Sequence, residues 1–340
     1  MVVSLPSTPT APETGIRPVN LRTDLAPLAD LLELAFASAM DSGGRAAVRE
    51  MRSLSHLGPG LSLLANLSDL AQGMSTGFVW VEGHQLIGNV SVYPAAASGI
   101  LAHTWIIANV AVHPDYRGRG IATQLMRASL DMVRRRGGRQ AVLQVDADNE
   151  VARRLYQRLN FIEERTWVSW KRPLSLSRPA PLANGPYITR RRAGEWQAEY
   201  ELAARVFPAE RGGLGWLRPL HPRYFRLSLA QQLTNWINLR SIERLAIRAA
   251  DGRQLLATLW IETGLAYSSV QLTLLVDADY AGLYDEALLN TAVRRFGSTQ
   301  PLTLDYPADC ETTSAVLRRY QFAPRRQVIH MRWDAQADKG

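Results

Sequence analysis

Residues 103–161 read HTWIIANVAVHPDYRGRGIATQLMRASLDMVRRRGGRQAVLQVDADNEVARRLYQRLNF. An alternating apolar run from Trp105 to Val112 stops at Pro114 and passes through Tyr116-Arg117-Gly118-Arg119-Gly120. A helix begins near Ile121. The order is strand, glycine-punctuated loop, helix. Gly118 and Gly120 allow backbone angles and close approaches that a side chain would forbid. The first turn of the helix leaves N–H groups without intrahelical partners, and these donors, with the positive end of the helix dipole, suit an anion. Arg117 and Arg119 add mobile charge. A second strand follows at Gln140 to Val145, then Asp146-Ala147-Asp148-Asn149, then a helix from Glu150 to Leu159 carrying Ala152 and Tyr156.

This combination resembles the GCN5-related N-acetyltransferase (GNAT) superfamily, whose acetyl-CoA loop has the form Arg/Gln-x-x-Gly-x-Gly/Ala. Arg117, Gly120 and Ala122 fill those places in order. The downstream family pattern, Asn-x-x-Ala-x-x-x-Tyr and then a glycine-aromatic pair, is met by Asn149, Ala152, Tyr156 and Asn160-Phe161. Only the glycine departs, and Asn is the other residue that ends helices in a left-handed turn. The resemblance implies a mixed-sheet α/β (α+β) fold with acetyl-CoA as cosubstrate. It implies a cofactor site made by Val110, Ala111 and Val112 of the central strand, by Arg117, Gly118, Arg119, Gly120, Ile121 and Ala122, and by Asn149 and Arg153. Tyr156 is then expected to protonate the departing thiolate, and Asn149 to hydrogen-bond the pantetheine arm. For the general base the residues leave several choices open: His103 at the strand start, Glu82 on a hairpin, or a water chain ending at Asn109.

Working outward, residues 1–15 read as a disordered tail and 16–21 as a first strand. Asp24 to Ala37 reads as an amphipathic helix with Leu25, Leu28, Leu31, Leu32 and Ala35 on one face, capped by Thr23 or Asp24. A helical region over 44–72 is interrupted at Gly58-Pro59-Gly60, and a hairpin turns at Gly83-His84 between Phe78–Glu82 and Gln85–Tyr93. The GNAT-like match covers 16–172. Pro173 to Pro186, with four prolines, reads as a linker. After it the order starts again: strand 187–191, helix 195–206, a broken helical region to about 240, strands 243–249, 254–262 and 269–276, helix 284–296, strand 301–305, helix 311–320 and strand 327–333, with a tail at 335–340. The chain therefore reads as two tandem GNAT-like acyl-CoA N-acyltransferase domains, 16–172 and 187–334. The second copy is degenerate: Ala281-Gly282-Leu283-Tyr284 replaces Arg117-Gly118-Arg119-Gly120, Cys310 lies near the place of Asn149, and Leu317 near that of Tyr156. Tandem acetyltransferases with one working half, mycothiol synthase among them, are similar in plan.

The length of 340 residues suits about two domains, and 46% apolar residues suffice for buried cores. The single cysteine, Cys310, excludes an internal disulfide and a cysteine-rich metal site. The six histidines show no metal-ligand spacing, so no metal is expected. A net charge of +8, carried mostly by arginines at helix ends, comes without a nucleic-acid motif, so no nucleic-acid partner is expected. No apolar stretch of membrane-spanning length and no secretory signal is present, so no membrane partner is expected and a cytoplasmic location is. The favoured function is acetyl transfer from acetyl-CoA to a small-molecule amine, the first domain catalytic and the second shaping the acceptor pocket. A protein or peptide acetyltransferase and a non-catalytic acyl-CoA-binding regulator are the alternatives. The oligomeric state is left open. The segment Phe207 to Phe225 is a candidate specificity loop.

Overall fold

A computed structural model of the chain describes residues 14–37, 40, 42–55, 76–95, 103–208, 213–214, 220–226, 240–252, 254–264 and 268–335. Most of the expected tails at 1–15 and 335–340, the break at Gly58-Pro59-Gly60, the helical region after Ser55 and much of 207–225 lie outside them, while Gly15 opens the first strand and Ala335 N donates to Arg139 O. Two compact units emerge. One holds residues 1–143, 155–161 and 332–340, the other 144–154 and 162–331.

In the first unit β1 (Gly15–Pro18), β2 (Gly77–Glu82), β3 (Gln85–Pro94) and β4 (Thr104–Val112) pair antiparallel in sequence order. β5 (Gln140–Asp146), whose first four residues belong to this unit, then pairs parallel to β4. The helix α1 (Leu21–Ala35) starts earlier than expected, because its cap is Asn20 and not Thr23 or Asp24. Asn20 Oδ1 accepts from Arg22 N at 3.1 Å, while Asp24 is buried and held by two bonds from Arg17. Burial alone would raise the Asp24 pKa, but Arg17, the Asn20 N–H and Thr23 outweigh it and hold the carboxyl below its usual range. Leu25, Leu28, Leu31 and Leu32 of α1 join Val48 and Met51 of α2 (Ser42–Ser55) over Val79, Val81, Leu86 and Ala111 of the sheet.

The opposite face carries α3 (Ile121–Arg135). Trp80 alternates with Val79 and Val81 along β2 and so points the other way, toward the place where α3 meets Gly88. A β-carbon on Gly88 would stand 3.0 Å from both Ile121 Cγ2 and Leu125 Cδ1 and 3.1 Å from Trp80 Cβ. The missing side chain is what lets the first turn of α3 rest on the sheet.

The second unit contains most of α4 (Glu150–Arg158), then β6 (Ile162–Arg172), β7 (Thr189–Arg190), α5 (Trp196–Val206), β8 (Arg240–Arg248), β9 (Leu255–Gly264), β10 (Val270–Val276), α6 (Tyr284–Phe296), β11 (Leu302–Pro307), α7 (Glu311–Arg319) and most of β12 (Ala323–Asp334). β7, β8, β9 and β10 pair antiparallel and β10 pairs parallel to β11, which is the pattern of β1 to β5 repeated. The strand that closes the first sequence repeat, β6, runs antiparallel to β11, Arg172 opposite Leu302 and Trp167 opposite Pro307. The segment Pro173–Pro186 has no helix or strand, yet it is tied down: Ser175 N donates to Gly297 O, Asn290 Nδ2 to Ala180 O and Arg294 to Pro179 O. The buried Arg172 guanidinium adds bonds to the carbonyls of Tyr320, Gly297 and Ser177.

Gly88→Val should lower stability by about 1–3 kcal/mol, because the added side chain must displace Ile121 and Leu125 from a filled contact. Thermal unfolding, read as a lower Tm, checks this.

Candidate active site

The anion loop is built by short-range rules. His113 Nδ1 accepts from Asp115 N at 3.3 Å and opens a 3-10 turn over Pro114–Tyr116, which Arg117 N closes onto Pro114 O at 3.2 Å. Gly118 and Gly120 then take φ of 77° and 76°, a region that glycine enters without steric cost. A β-carbon at either would meet no atom within 4 Å, so the loop is open above both residues. The α3 helix starts from the left-handed Gly120 with no side chain capping it, and its first-turn donors face this opening. Arg119 lies over the Tyr116 ring at 4.7 Å and 3.6 Å from Glu82, and Arg117 Nε reaches Val112 O at 3.4 Å. The cradle suits a phosphate-sized anion, and Ile121 and Ala122 form the helix start beneath it.

The strand feeding this loop is irregular. β3 and β4 are in register at Ser91 and Ala108 and again at Asn89 and Ala111, so Asn109 and Val110 together face Val90. This is a β-bulge. Asn109 adopts φ 52° and is exposed although it lies in an interior strand, while Val110 and Val112 are half-buried and Ala111 is buried. The parallel ladder to β5 covers only Thr104–Ile106 against Gln140–Val142. From Ile107 onward β4 takes no part in that ladder, which leaves backbone donors and acceptors on this edge for a ligand. Asn89 and Ser91 brace the bulge: Asn89 Nδ2 donates to Asn109 O at 2.8 Å, and Asn109 Nδ2 to Ser91 Oγ at 3.3 Å. Sequence reading passes over this pair, because both residues sit inside a run that reads as an ordinary apolar strand. Two polar residues at the buried positions of that run were the signal.

Asn149 and Arg153 belong to the second unit, Tyr156 to the first, although all three flank or lie on α4. Asn149 Oδ1 caps that helix by accepting from Ala152 N at 3.1 Å. Arg153 is engaged within the protein, pairing with Glu163 at 2.9 Å and donating to Ala147 O at 3.1 Å. The turn before Asn149 is also held by β12, through Ala147 N to Gln327 O at 2.9 Å and an ion pair of Arg326 with Asp146. Tyr156 is 6% exposed, its ring 5.9 Å from that of Phe161, and burial pushes its hydroxyl pKa up. The phenol is therefore protonated at neutral pH. Asn160 takes the left-handed φ of 64° that the departure from the family glycine requires, with Phe161 N donating back to Tyr156 O. Glu82 stands beside the anion loop, and the exposed His103 precedes the far end of β4, six residues and roughly 20 Å of extended strand before Asn109.

The second repeat builds the same 3-10 turn, with Tyr280 N on Asp277 O and Ala281 N on Ala278 O, but not the same opening. A β-carbon on Gly282 would come within 2.8 Å of Thr312 Cγ2. Tyr280 and Tyr284 stack at 4.7 Å, and the buried Asp285 accepts from Glu286 N at 2.8 Å, so a carboxylate of the chain itself occupies the first turn of α6. Among the described residues no group of three or more His, Cys, Asp or Glu is placed to hold a metal, and no helix is long and apolar enough to cross a membrane.

A mixed sheet with a bulged, half-unladdered strand leading into a glycine loop at a helix start defines an acyl-CoA N-acyltransferase fold. The sequence profile of the acetyltransferase (GNAT) family matches residues 47–161, and the chain carries a GNAT domain there. N-alpha-acetyltransferase 30 of Schizosaccharomyces pombe is 39% identical over 84 residues, 25% of this chain and 55% of that protein. Mycothiol acetyltransferase of Geodermatophilus obscurus is 33% identical over 99 residues, 28% of this chain and 31% of that protein. The chain thus spans about half or less of the length of these relatives. A tandem GNAT protein from the clavulanic acid biosynthesis pathway superposes over 95% of this chain and 99% of its own, with a TM-score of 0.58 and 14% identity, a likeness of fold across both repeats.

Gly120→Glu should abolish binding of acetyl-CoA, since it strains a left-handed residue and puts a carboxylate where an anion would lie. Leu283→Glu, the corresponding insult in the closed second loop, should leave affinity unchanged. Isothermal titration of both variants checks this.

Proposed function

We propose that the chain is an acetyl-CoA-dependent N-acetyltransferase that moves an acetyl group to the amine of a small molecule by direct transfer, with the chemistry carried by the first repeat. The observation that carries the reading is the continuity between the open loop of Gly118 and Gly120 and the edge of β4 released from its ladder after Ile106. A phosphate-ended extended thioester has both ends provided for: pyrophosphate on the loop and the start of α3, pantetheine amides on the backbone of Asn109 to Val112. In the second repeat the loop is closed, so one cofactor binds per chain.

In the transfer the neutral amine nitrogen attacks the thioester carbon, the new C–N bond forms and the C–S bond breaks. The developing oxyanion needs a fixed donor, and the Val110 N–H at the bulge supplies it. The thiolate leaves with a proton from Tyr156, whose buried hydroxyl is held in the protonated form that this step uses. The amine must lose a proton. Glu82 is placed against Arg119 at the phosphate end and His103 at the far end of β4, so neither lies near the bulge. The exposed Asn109 side chain, linked to Ser91 Oγ, is the polar group at that position, and a water held there passes the proton to solvent. Asn149 spends its Oδ1 on the α4 cap. Arg153, paired to Glu163, fixes the turn that presents Asn149.

A peptide α-amine is the second reading, favoured by the 39% identity to an N-alpha-acetyltransferase. A panel of small amines and peptide N-termini, with free-thiol release from acetyl-CoA as readout, separates the two. No thiol release with any acceptor, alongside tight acetyl-CoA binding, would instead identify a non-catalytic sensor.

Tyr156→Phe keeps the ring and its packing on Phe161 while removing the one O–H. Turnover should fall about 10²- to 10⁴-fold with acetyl-CoA affinity nearly unchanged. Full turnover in this variant would reassign the acid.

A further inference from the structure

We propose that Asn89 is a positioning residue for acyl transfer, acting through the peptide between Asn109 and Val110; the inference rests on the acetyltransferase reading above. All peptide bonds described are trans, and in a planar trans peptide the C=O and the N–H point in opposite directions. Asn89, on β3, donates from Nδ2 to Asn109 O at 2.8 Å. Fixing this carbonyl toward β3 turns the N–H of Val110 to the other side of β4. That side is the edge released from the β5 ladder after Ile106, where a thioester carbonyl can reach it.

Three features make this orientation depend on Asn89. Two residues of β4 face one of β3 at the bulge, so the regular one-to-one ladder is broken there. Asn109 is held at φ 52°, a conformation that Asn tolerates and that a relaxed strand would abandon. Asn89 itself is 2% exposed, with its Nδ2 donating to the Asn109 carbonyl, so its amide is not free to turn to water. Ser91 plays a different part: its Oγ receives the Asn109 side chain at 3.3 Å. The two braces therefore separate by function, one setting the backbone donor and the other the side chain above it.

In the reaction the Val110 N–H makes no covalent bond. It donates to the carbonyl oxygen as the amine adds and negative charge gathers there, and again as the thiolate departs and the C=O is restored. A donor rotated away loses this at both stages, whereas the pyrophosphate and pantetheine contacts elsewhere persist.

The test is isotope-edited infrared spectroscopy of acetyl-CoA labelled with ¹³C at the thioester carbonyl, bound to wild type, Asn89→Leu and Ser91→Ala. Wild type and Ser91→Ala should shift the carbonyl stretch to lower frequency than free acetyl-CoA, and Asn89→Leu should return it to the free value. With a verified acceptor, kcat for Asn89→Leu should fall about 10- to 10²-fold, toward the loss of one oxyanion donor, with the Kd for unacylated CoA unchanged. An Asn89→Leu variant that keeps the wild-type carbonyl shift overturns the inference, as does a wild type with no shift despite tight binding. If Asn89→Leu does not fold, the amide resonance of Val110 in wild type decides: it should move with acetyl-CoA and not with CoA, and equal movement with both overturns the proposal. A wild type that binds neither ligand removes the acetyltransferase reading itself, a result distinct from either of these.

Discussion

An interior strand that leaves its own ladder must have its backbone groups satisfied in another way, and β4 is such a strand. Its parallel pairing with β5 ends after Ile106, and three residues later Asn109 turns to φ 52°. A left-handed residue in a strand costs on the order of 1 kcal/mol or more. Each well-made hydrogen bond contributes about 1 kcal/mol in return, and Asn89 and Ser91 make two with Asn109. The bulge is thus held without help from the ladder, and the released edge can face a ligand. The rest of the first unit serves that geometry: Gly88 lets α3 settle on the sheet, and α3 starts from the loop that β4 delivers.

Much of this was legible because the signals are local. Glycines in a loop at a helix start and the alternation of β4 act within a few positions, and the structure has the expected strand, loop and helix in each place. The start of α1 is hard to place from the sequence because several capping residues stand together. Asn20 takes the cap, since Asp24 is drawn instead into a buried pair with Arg17. The braces of the bulge were missed for another reason: a period-two pattern shows which residues are inside, but not that a polar one inside is aimed at a neighbouring backbone. Strand partners were the least legible. Nothing in Ile162–Arg172 announces that its neighbour is Leu302–Pro307, since pairing between distant segments leaves no mark on either one.

The second repeat acts as an internal comparison. Its strands follow the same antiparallel and parallel order, and Gln321 even takes the left-handed φ of 64° that Asn160 takes in the first. What differs is confined to the loop and the helix behind it. Gly282 is shut against Thr312, and Asp285 supplies the negative charge that the helix start in the first repeat leaves to a ligand. A scaffold can therefore lose its cofactor site by filling it, with no change in topology.

The pairing of β6 with β11 also bears on how the chain is made. Arg172 leaves the ribosome 130 residues before its partner Leu302, at about 5–20 residues per second an interval of roughly ten seconds. During that time β6 has an unpaired edge and two tryptophans, Trp167 and Trp170, which are buried in the finished protein. Such an edge invites pairing with other nascent chains. The charges spread along β6, at Glu163, Glu164, Arg165, Lys171 and Arg172, are the kind of residue that discourages it. The charges on this strand thus have a use during synthesis that the native fold no longer displays.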